Sequence, residues 1–205
     1  MADPLSPLPF VRPVDRVTIR PVGMDDWANV RYVHATAFRV LAGGDCEPAE
    51  ADAFATYVRS QDYADRVQTE NLYAGWLDGE LVGTAGWTPA DDSGVLARIT
   101  SVFVRPLFTR MGIGRRLALD AEARARAAGF ERFSARATLN AVGFFEKLGY
   151  DVTSHGIHII ATEQGMPVTY MRKHEPVAHP APVRGPAEPQ SQPLAFQSLV
   201  TPRDR

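Results

Sequence analysis

The sequence predicts an α/β fold: a mixed, mostly antiparallel central sheet flanked by helices, in the order β-α-α-β-β-β-α-β-α-β-β. Three observations predict it. Two strand-like runs meet at Asp78-Gly79, a strong hairpin signal. Segments of helical period lie on either side of the strand-rich middle. A long apolar run at 95–104 passes through a glycine-rich turn into a helix and back to a strand at 131. That is a crossover, and a crossover joins parallel strands.

Each element has its own signature. "RVTIRP" (16–21) alternates and reads as the first strand. Over 24–38, Trp27, Val30, Val33, His34 and Phe38 recur at helical spacing, and Asp25 is placed to cap that helix. "GGDC" (43–46) breaks it. A second helix is expected over 47–67, opening near Pro48, which a first turn tolerates. "NLYAGWL" (71–77) and "LVGTAGW" (81–87) make the hairpin, and "VLARITSVFV" (95–104) the next strand. The following helix ends at Gly129, a C′ glycine. "ERFSARA" (131–137) is a short strand, and "LNAVGFFEKLG" (139–149) a short helix closed by Gly149. "YDVTSHGIHII" (150–160) and "MPVTYMRK" (166–173) pair through "TEQG".

Composition sets the limits. The chain has 205 residues, 45% hydrophobic and 22% charged, enough to bury one core. Residues 1–14 carry four prolines, and 176–205 hold seven of the chain's 16. Such segments bury too little to offset their ordering entropy, so both ends are expected to be disordered, with the folded domain at 15–175. Net charge is −2, which argues against nucleic acid as a partner. The charge is unevenly spread: residues 1–102 carry −7 and residues 103–205 carry +5. A positive half attracts an anionic small molecule or is simply a solvated surface. Cys46 is the single cysteine, so no internal disulfide and no Cys-based metal site is expected. No run reaches the ~20 apolar residues that span a bilayer, and "MADPLSPLPF" lacks the pattern of a secretory signal. A cytoplasmic setting without a membrane partner is the expectation.

The turn "FTRMGIGRR" (108–116) holds two glycines and three arginines between a strand and a helix. A helix N-terminus presents unpaired N–H groups and a partial positive charge, and glycines let a ligand's phosphates reach the backbone. A pyrophosphate is the natural guest. A Walker A loop needs Lys-Ser/Thr after its second glycine, and Arg115-Arg116 stand here instead. The dinucleotide fingerprint needs a third glycine, and Leu117 occupies that place. The third reading is a coenzyme A pyrophosphate site.

Its surroundings support that reading. From about Val17 to Lys173 the chain resembles the GNAT superfamily of acyl-CoA-dependent N-acetyltransferases, most clearly across "VFVRPLFTRMGIGRRL" and "ATLNAVGFFEKLGY". The family's Gln/Arg-x-x-Gly-x-Gly/Ala signature falls on Thr109 to Gly114, with Thr109 in the Gln/Arg place. The resemblance implies acetyl-CoA as co-substrate and no metal. It implies that the backbone of Val102, Phe103 and Val104 holds the pantetheine arm. The turn Thr109, Arg110, Met111, Gly112, Ile113, Gly114 and Arg115 holds the pyrophosphate. Asn140 meets the pantetheine, and Phe144 opens the family's aromatic-Gly-Tyr block, in which Phe145 replaces the usual tyrosine.

The implied reaction is direct attack of a small-molecule or peptide amine on the thioester, with an N–H near Val102 as oxyanion donor. Catalytic residues are less defined. Relatives carry Glu or His where this chain has Arg98 and Thr100; neither is a base at neutral pH. Arg98, Thr100, Ser101 and Tyr150 are the candidates. Arg98 facing the cleft points to an amine bearing an acidic group, and otherwise to a surface ion pair. His34 reads as a core residue, Trp76, Trp87 and Tyr73 as packing. His155 and His158, three apart on a strand, face opposite sides and make no metal pair. The second function class is a non-catalytic acyl-CoA-binding module. The resemblance also allows a homodimer.

Overall fold

A computed structural model of the chain describes residues 11–41, 48–161 and 164–174. Cys46 and both predicted tails beyond these limits lie outside the described residues. Seven strands form one sheet in the order β1-β2-β3-β4-β5-β7-β6. They are β1 (Thr18–Pro21), β2 (Asn71–Leu77), β3 (Glu80–Pro89), β4 (Leu96–Val104), β5 (Arg132–Ala137), β6 (Tyr150–Ala161) and β7 (Gln164–Lys173). The helices are α1 (Pro13–Arg16), α2 (Trp27–Leu41), α3 (Pro48–Arg59), α4 (Gln61–Gln68), α5 (Ile113–Ala127) and α6 (Val142–Glu146). Every strand pair is antiparallel except β4–β5, which α5 connects. The predicted α/β fold with a mixed, mostly antiparallel sheet is therefore the observed one.

Two local expectations are corrected. The helix expected over 47–67 is two helices, broken at Ser60. The Ser60 side chain accepts a hydrogen bond from the Tyr63 N–H at 3.2 Å and starts α4 as its N-cap. Asp25 is exposed and caps nothing; residues 24–26 form a 3-10 turn. Its neighbour Asp26 accepts from the Gly23 N–H at 2.8 Å and from both ends of the Arg20 guanidinium. The end of α5 is as read: Gly129 N–H bonds Arg126 O and Phe130 N–H bonds Ala125 O, a Schellman closure.

The sheet divides two cores. Ala97, Ile99, Phe133, Ala135 and Ala137 alternate out of β4 and β5 into the layer beneath α5, where Leu117, Ala121 and Ala125 meet them. On the other face Val30, Val33, Phe54, Val58 and Tyr63 of α2–α4 pack on β2 and β3. Arg98, Thr100 and Arg136 fall on this second face by the same alternation. No helix among the described residues is long and apolar enough to cross a membrane.

One feature of the sheet creates the site. β4 and β5 pair only from Leu96↔Arg132 to Ile99↔Ala135. Beyond Ile99 the two strands part, and among the described residues Thr100–Val104 has no strand partner on that side. The sheet opens into a cleft, with unpaired backbone along one wall.

Candidate active site

A bulge lies at the root of this cleft. Gly86 faces Thr100 and Thr84 faces Phe103, so Ser101 and Val102 together oppose Ala85 alone. Ser101 takes φ +50°, a left-handed conformation costly for a serine. A bulge re-aims side chains. In a regular strand Thr100 and Ser101 would point to opposite faces. Here both hydroxyls donate to one oxygen, Glu70 Oε2, at 2.9 and 2.6 Å. Glu70 Oε1 accepts from Arg66 at 2.8 Å, and its side chain is only 3% exposed.

The bulge is held from behind as well. Thr84 Oγ1 donates to Ser101 O at 2.7 Å, so that hydroxyl accepts from His34 Nε2–H at 2.8 Å. His34 Nδ1 is then the acceptor for the Tyr63 hydroxyl. His34 is fully buried, its ring 4.3 Å from that of Phe103. It is a structural support of β4, as its place on the apolar face of α2 indicated. Burial, and to a lesser extent Arg66, push its pKa down to about 3. The unfolded chain binds a proton near pH 6.5 that the folded protein refuses. Stability from His34 is therefore complete above that pH and lost as pH falls toward 3. Its share is expected to reach ~3 kcal/mol by pH 4 relative to pH 7. Ring NMR checks this: a His34 resonance titrating near 6.5 in the folded protein would contradict it.

Two cavities meet at the bulge. The larger, about 590 Å³, lies against β4 and the turn that opens α5. Ten of the twelve residues expected at the cofactor line it: Val102, Phe103, Val104, Thr109, Arg110, Gly112, Gly114, Arg115, Asn140 and Phe144. The other two do not. Ile113 is 1% exposed and packs into the α5 core, while Met111 points outward at 40%. Gly112 N-caps α5 at φ +83°, so the N–H groups of Ile113, Gly114 and Arg115 have no acceptor within the helix; the first intrahelical bond is Arg116 N–H to Gly112 O. A Cβ on Gly114 would stand 3.3 Å from Val104 Cγ2 and 3.4 Å from Phe144 Cε2, which explains the second glycine. Arg110, Arg115 and Lys147 bring positive charge to the walls. Arg116 does not; its guanidinium bonds Val14 O. Asn140 donates to Leu41 O at 2.9 Å and so ties α2 to the far wall. Gly112→Ala is expected to cost about 1–2 kcal/mol through left-handed strain, a Tm loss of roughly 2–8 °C by thermal melting.

The smaller cavity, about 150 Å³, lies under the parted ends of β4 and β5. Arg98, Thr100 and Ser101 line it, together with Arg66, Arg136 and His158. Phe38, Val102, Phe103, Thr138 and Ala141 border both cavities, so the two adjoin. Tyr150 is not in the cleft. It is 1% exposed in the α5 core, and its hydroxyl donates to Glu122 Oε1 at 2.9 Å. Burial and the Glu122 carboxylate raise the phenol far above its ordinary value, so it keeps its proton there. Phe145 lines the smaller cavity and carries no proton to give.

A family model for acetyltransferase (GNAT) domains matches residues 33–150, more than half of the chain. This chain belongs to the GNAT acetyltransferase family. Solved structures share the fold. A GCN5-related N-acetyltransferase from Rhodopseudomonas palustris matches at TM-score 0.67 and 22% identity, over 76% of this chain and 94% of its own. The PaiA N-acetyltransferase from Thermoplasma acidophilum, solved with coenzyme A, matches at TM-score 0.62 and 17% identity, over 78% and 99%. YncA from Salmonella typhimurium, a putative acetyltransferase solved with acetyl-CoA, matches at 0.53 and 18%, over 81% and 98%. No curated protein matches by sequence. Within this GNAT domain, sequence reading passed over Glu70, Arg66, Arg136 and Lys147. Arg66 and Glu70 are an i, i+4 pair, but they lie 30 or more residues from the β4 hydroxyls and from Arg136, and meet them only through the fold.

Proposed function

We propose that the chain moves an acetyl group from acetyl-CoA to a primary amine by direct attack in a ternary complex. The observation that supports this is the unpaired Thr100–Val104 edge, which runs past both cavities and joins them at one bulge. The larger cavity falls within the ~300–1,000 Å³ typical of ligand sites. Its open N–H groups and three cationic side chains suit a pyrophosphate, and the free β4 edge suits the amide groups of a pantetheine arm. Asn140 and Phe144 close the opposite wall. The acetyl thioester supplies the activated carbonyl at the meeting point, where an N–H of the bulge near Val102 is the donor to the developing oxyanion.

The amine would enter from the smaller cavity. Its nitrogen forms the new C–N bond, the C–S bond breaks, and coenzyme A leaves as the thiol. Ser101 Oγ gives its hydrogen to Glu70, so its lone pairs are free to accept the proton the amine sheds. In this reading Ser101 relays that proton to the Glu70 carboxylate, and the same proton later reaches the sulfur. This replaces the tyrosine that Phe145 removes.

Two measurements test the proposal together. Acetyl-CoA at about 100 times Kd is expected to add ~2.7 kcal/mol, a Tm rise of roughly 5–10 °C. A thiol-release assay across an amine panel is expected to show turnover. Binding without release would favour a non-catalytic acyl-CoA module; neither binding nor release would reject both.

A further inference from the structure

The geometry points to the smaller cavity as an oxyanion pocket, in which Arg98, Arg136 and His158 hold the carboxylate or phosphate of a small acceptor amine. The inference rests on the transfer reading above and narrows its acceptor.

Charge argues first. Three guanidinium groups line a cavity of about 150 Å³. Arg66 is answered by Glu70. Arg98 and Arg136 have no carboxylate partner among the described residues. Burial, and then the charges of Arg98 and Arg66, lower the pKa of Arg136. The fold has gathered positive charge that it does not neutralise. A bound anion relieves that repulsion, and the binding energy is then selective for anions.

Arrangement argues second. Arg98 pairs in register with Ser134, so Arg136 lies two residues further along the adjacent parallel strand and on the same face. Arg136 Nη1 donates to His158 Nδ1 at 3.1 Å. A guanidinium only donates, so Nδ1 accepts and the neutral ring carries its proton on Nε2. Burial, followed by the three arginines, brings His158 down to about 4. The ring is therefore neutral at pH 7, with its lone pair engaged by Arg136. It is a third donor to an anion, not a base. Two guanidinium forks and one N–H match the lone pairs of a carboxylate or phosphate.

Size argues third. The cavity is smaller than the ~300–1,000 Å³ of a drug-sized site. It takes a compact amine. A second cationic group on the acceptor would meet only like charge. The same arginines disfavour the ammonium form of the amine and raise its nucleophilic fraction.

The test compares three amines of similar length, propylamine, β-alanine and 2-aminoethyl phosphate, at saturating acetyl-CoA. Thiol release reads turnover, and isothermal titration onto the protein–coenzyme A complex reads binding without it. Both anionic amines, or one of them, are expected to exceed propylamine by about 10²-fold in kcat/KM. Arg136→Gln and Arg98→Gln are each expected to remove about 10–100-fold of that preference, mainly through KM, with KM for acetyl-CoA unmoved. The ratio of the two anionic amines separates carboxylate from phosphate. Propylamine equal to or better than both, or a preference intact in both variants, would overturn the pocket. Anion-selective titration without thiol release would keep the pocket and reject the transfer reading. Turnover of propylamine without anion preference would do the reverse.

Discussion

Glu122→Ala is expected to destabilise the protein by about 3–5 kcal/mol, more than any other single truncation considered. Glu122 lies on the inner face of α5 and is 1% exposed. One oxygen accepts from the Tyr150 hydroxyl at 2.9 Å, the other from the Lys173 ammonium. These contacts tie the crossover helix to the β6–β7 hairpin, across the layer that carries Phe133 and Met171. Alanine leaves a buried phenol without an acceptor and a mostly buried cation, 18% exposed, without its anion. Removing one member of a buried charged group costs more than the group contributes as a whole. Tyr150→Phe is the control, because it deletes the hydroxyl together with its need for a partner. It is expected to cost only about 0.5–1.5 kcal/mol. Thermal and urea unfolding of the two variants and their double mutant measure the coupling. For a domain of this size the alanine loss corresponds to a Tm drop of roughly 6–20 °C. Equal small losses from both variants would reject the account.

The same network shows where sequence reading stops. Tyr150 follows Phe145 and Gly149 at the family's interval, which brought it forward as a candidate acid. Its partner Glu122 is 28 residues away, on a helix whose inner face otherwise reads as small and apolar. No local pattern marks that pairing. The wall of the larger cavity was legible for the opposite reason. It is built largely from consecutive residues, a strand edge and the turn at 108–115, whose glycines announce it. The parallel β4–β5 pair was legible too, because a strand–helix–strand crossover leaves few alternatives. The smaller cavity draws on the end of α4, the bulge of β4, the tip of β5 and the middle of β6. Arg98 could be placed from its strand alone. Arg136 and His158 could not, since each gains its meaning from the other. The break at Ser60 did carry a local sign, a serine three residues before the N–H it caps, but the helical period runs through it without interruption.

Glu70→Gln is expected to lower kcat by about 10²–10⁴-fold, the usual loss on removing an acid–base group, while KM for acetyl-CoA stays within about twofold of the wild type, because Glu70 lies outside the larger cavity. The amide preserves the local hydrogen bonds. Its oxygen can still accept from Arg66, and its nitrogen can reach the hydroxyls of Thr100 and Ser101, which then act as acceptors. Shape and the left-handed bulge at Ser101 are retained. Proton-accepting capacity is not. If Glu70 only braced the bulge, the glutamine variant would be close to fully active. If it takes the proton that Ser101 relays, the variant is slow at every pH. Ser101→Ala separates the two members of the pair. It removes the relay but leaves the carboxylate, so water can bridge the gap, and a smaller loss of about 10–10²-fold is expected. Rates for the three proteins, read by thiol release between pH 6 and 9, decide the matter. A glutamine variant that keeps the wild-type rate across that range would remove Glu70 from the chemistry and leave it as a brace for β4.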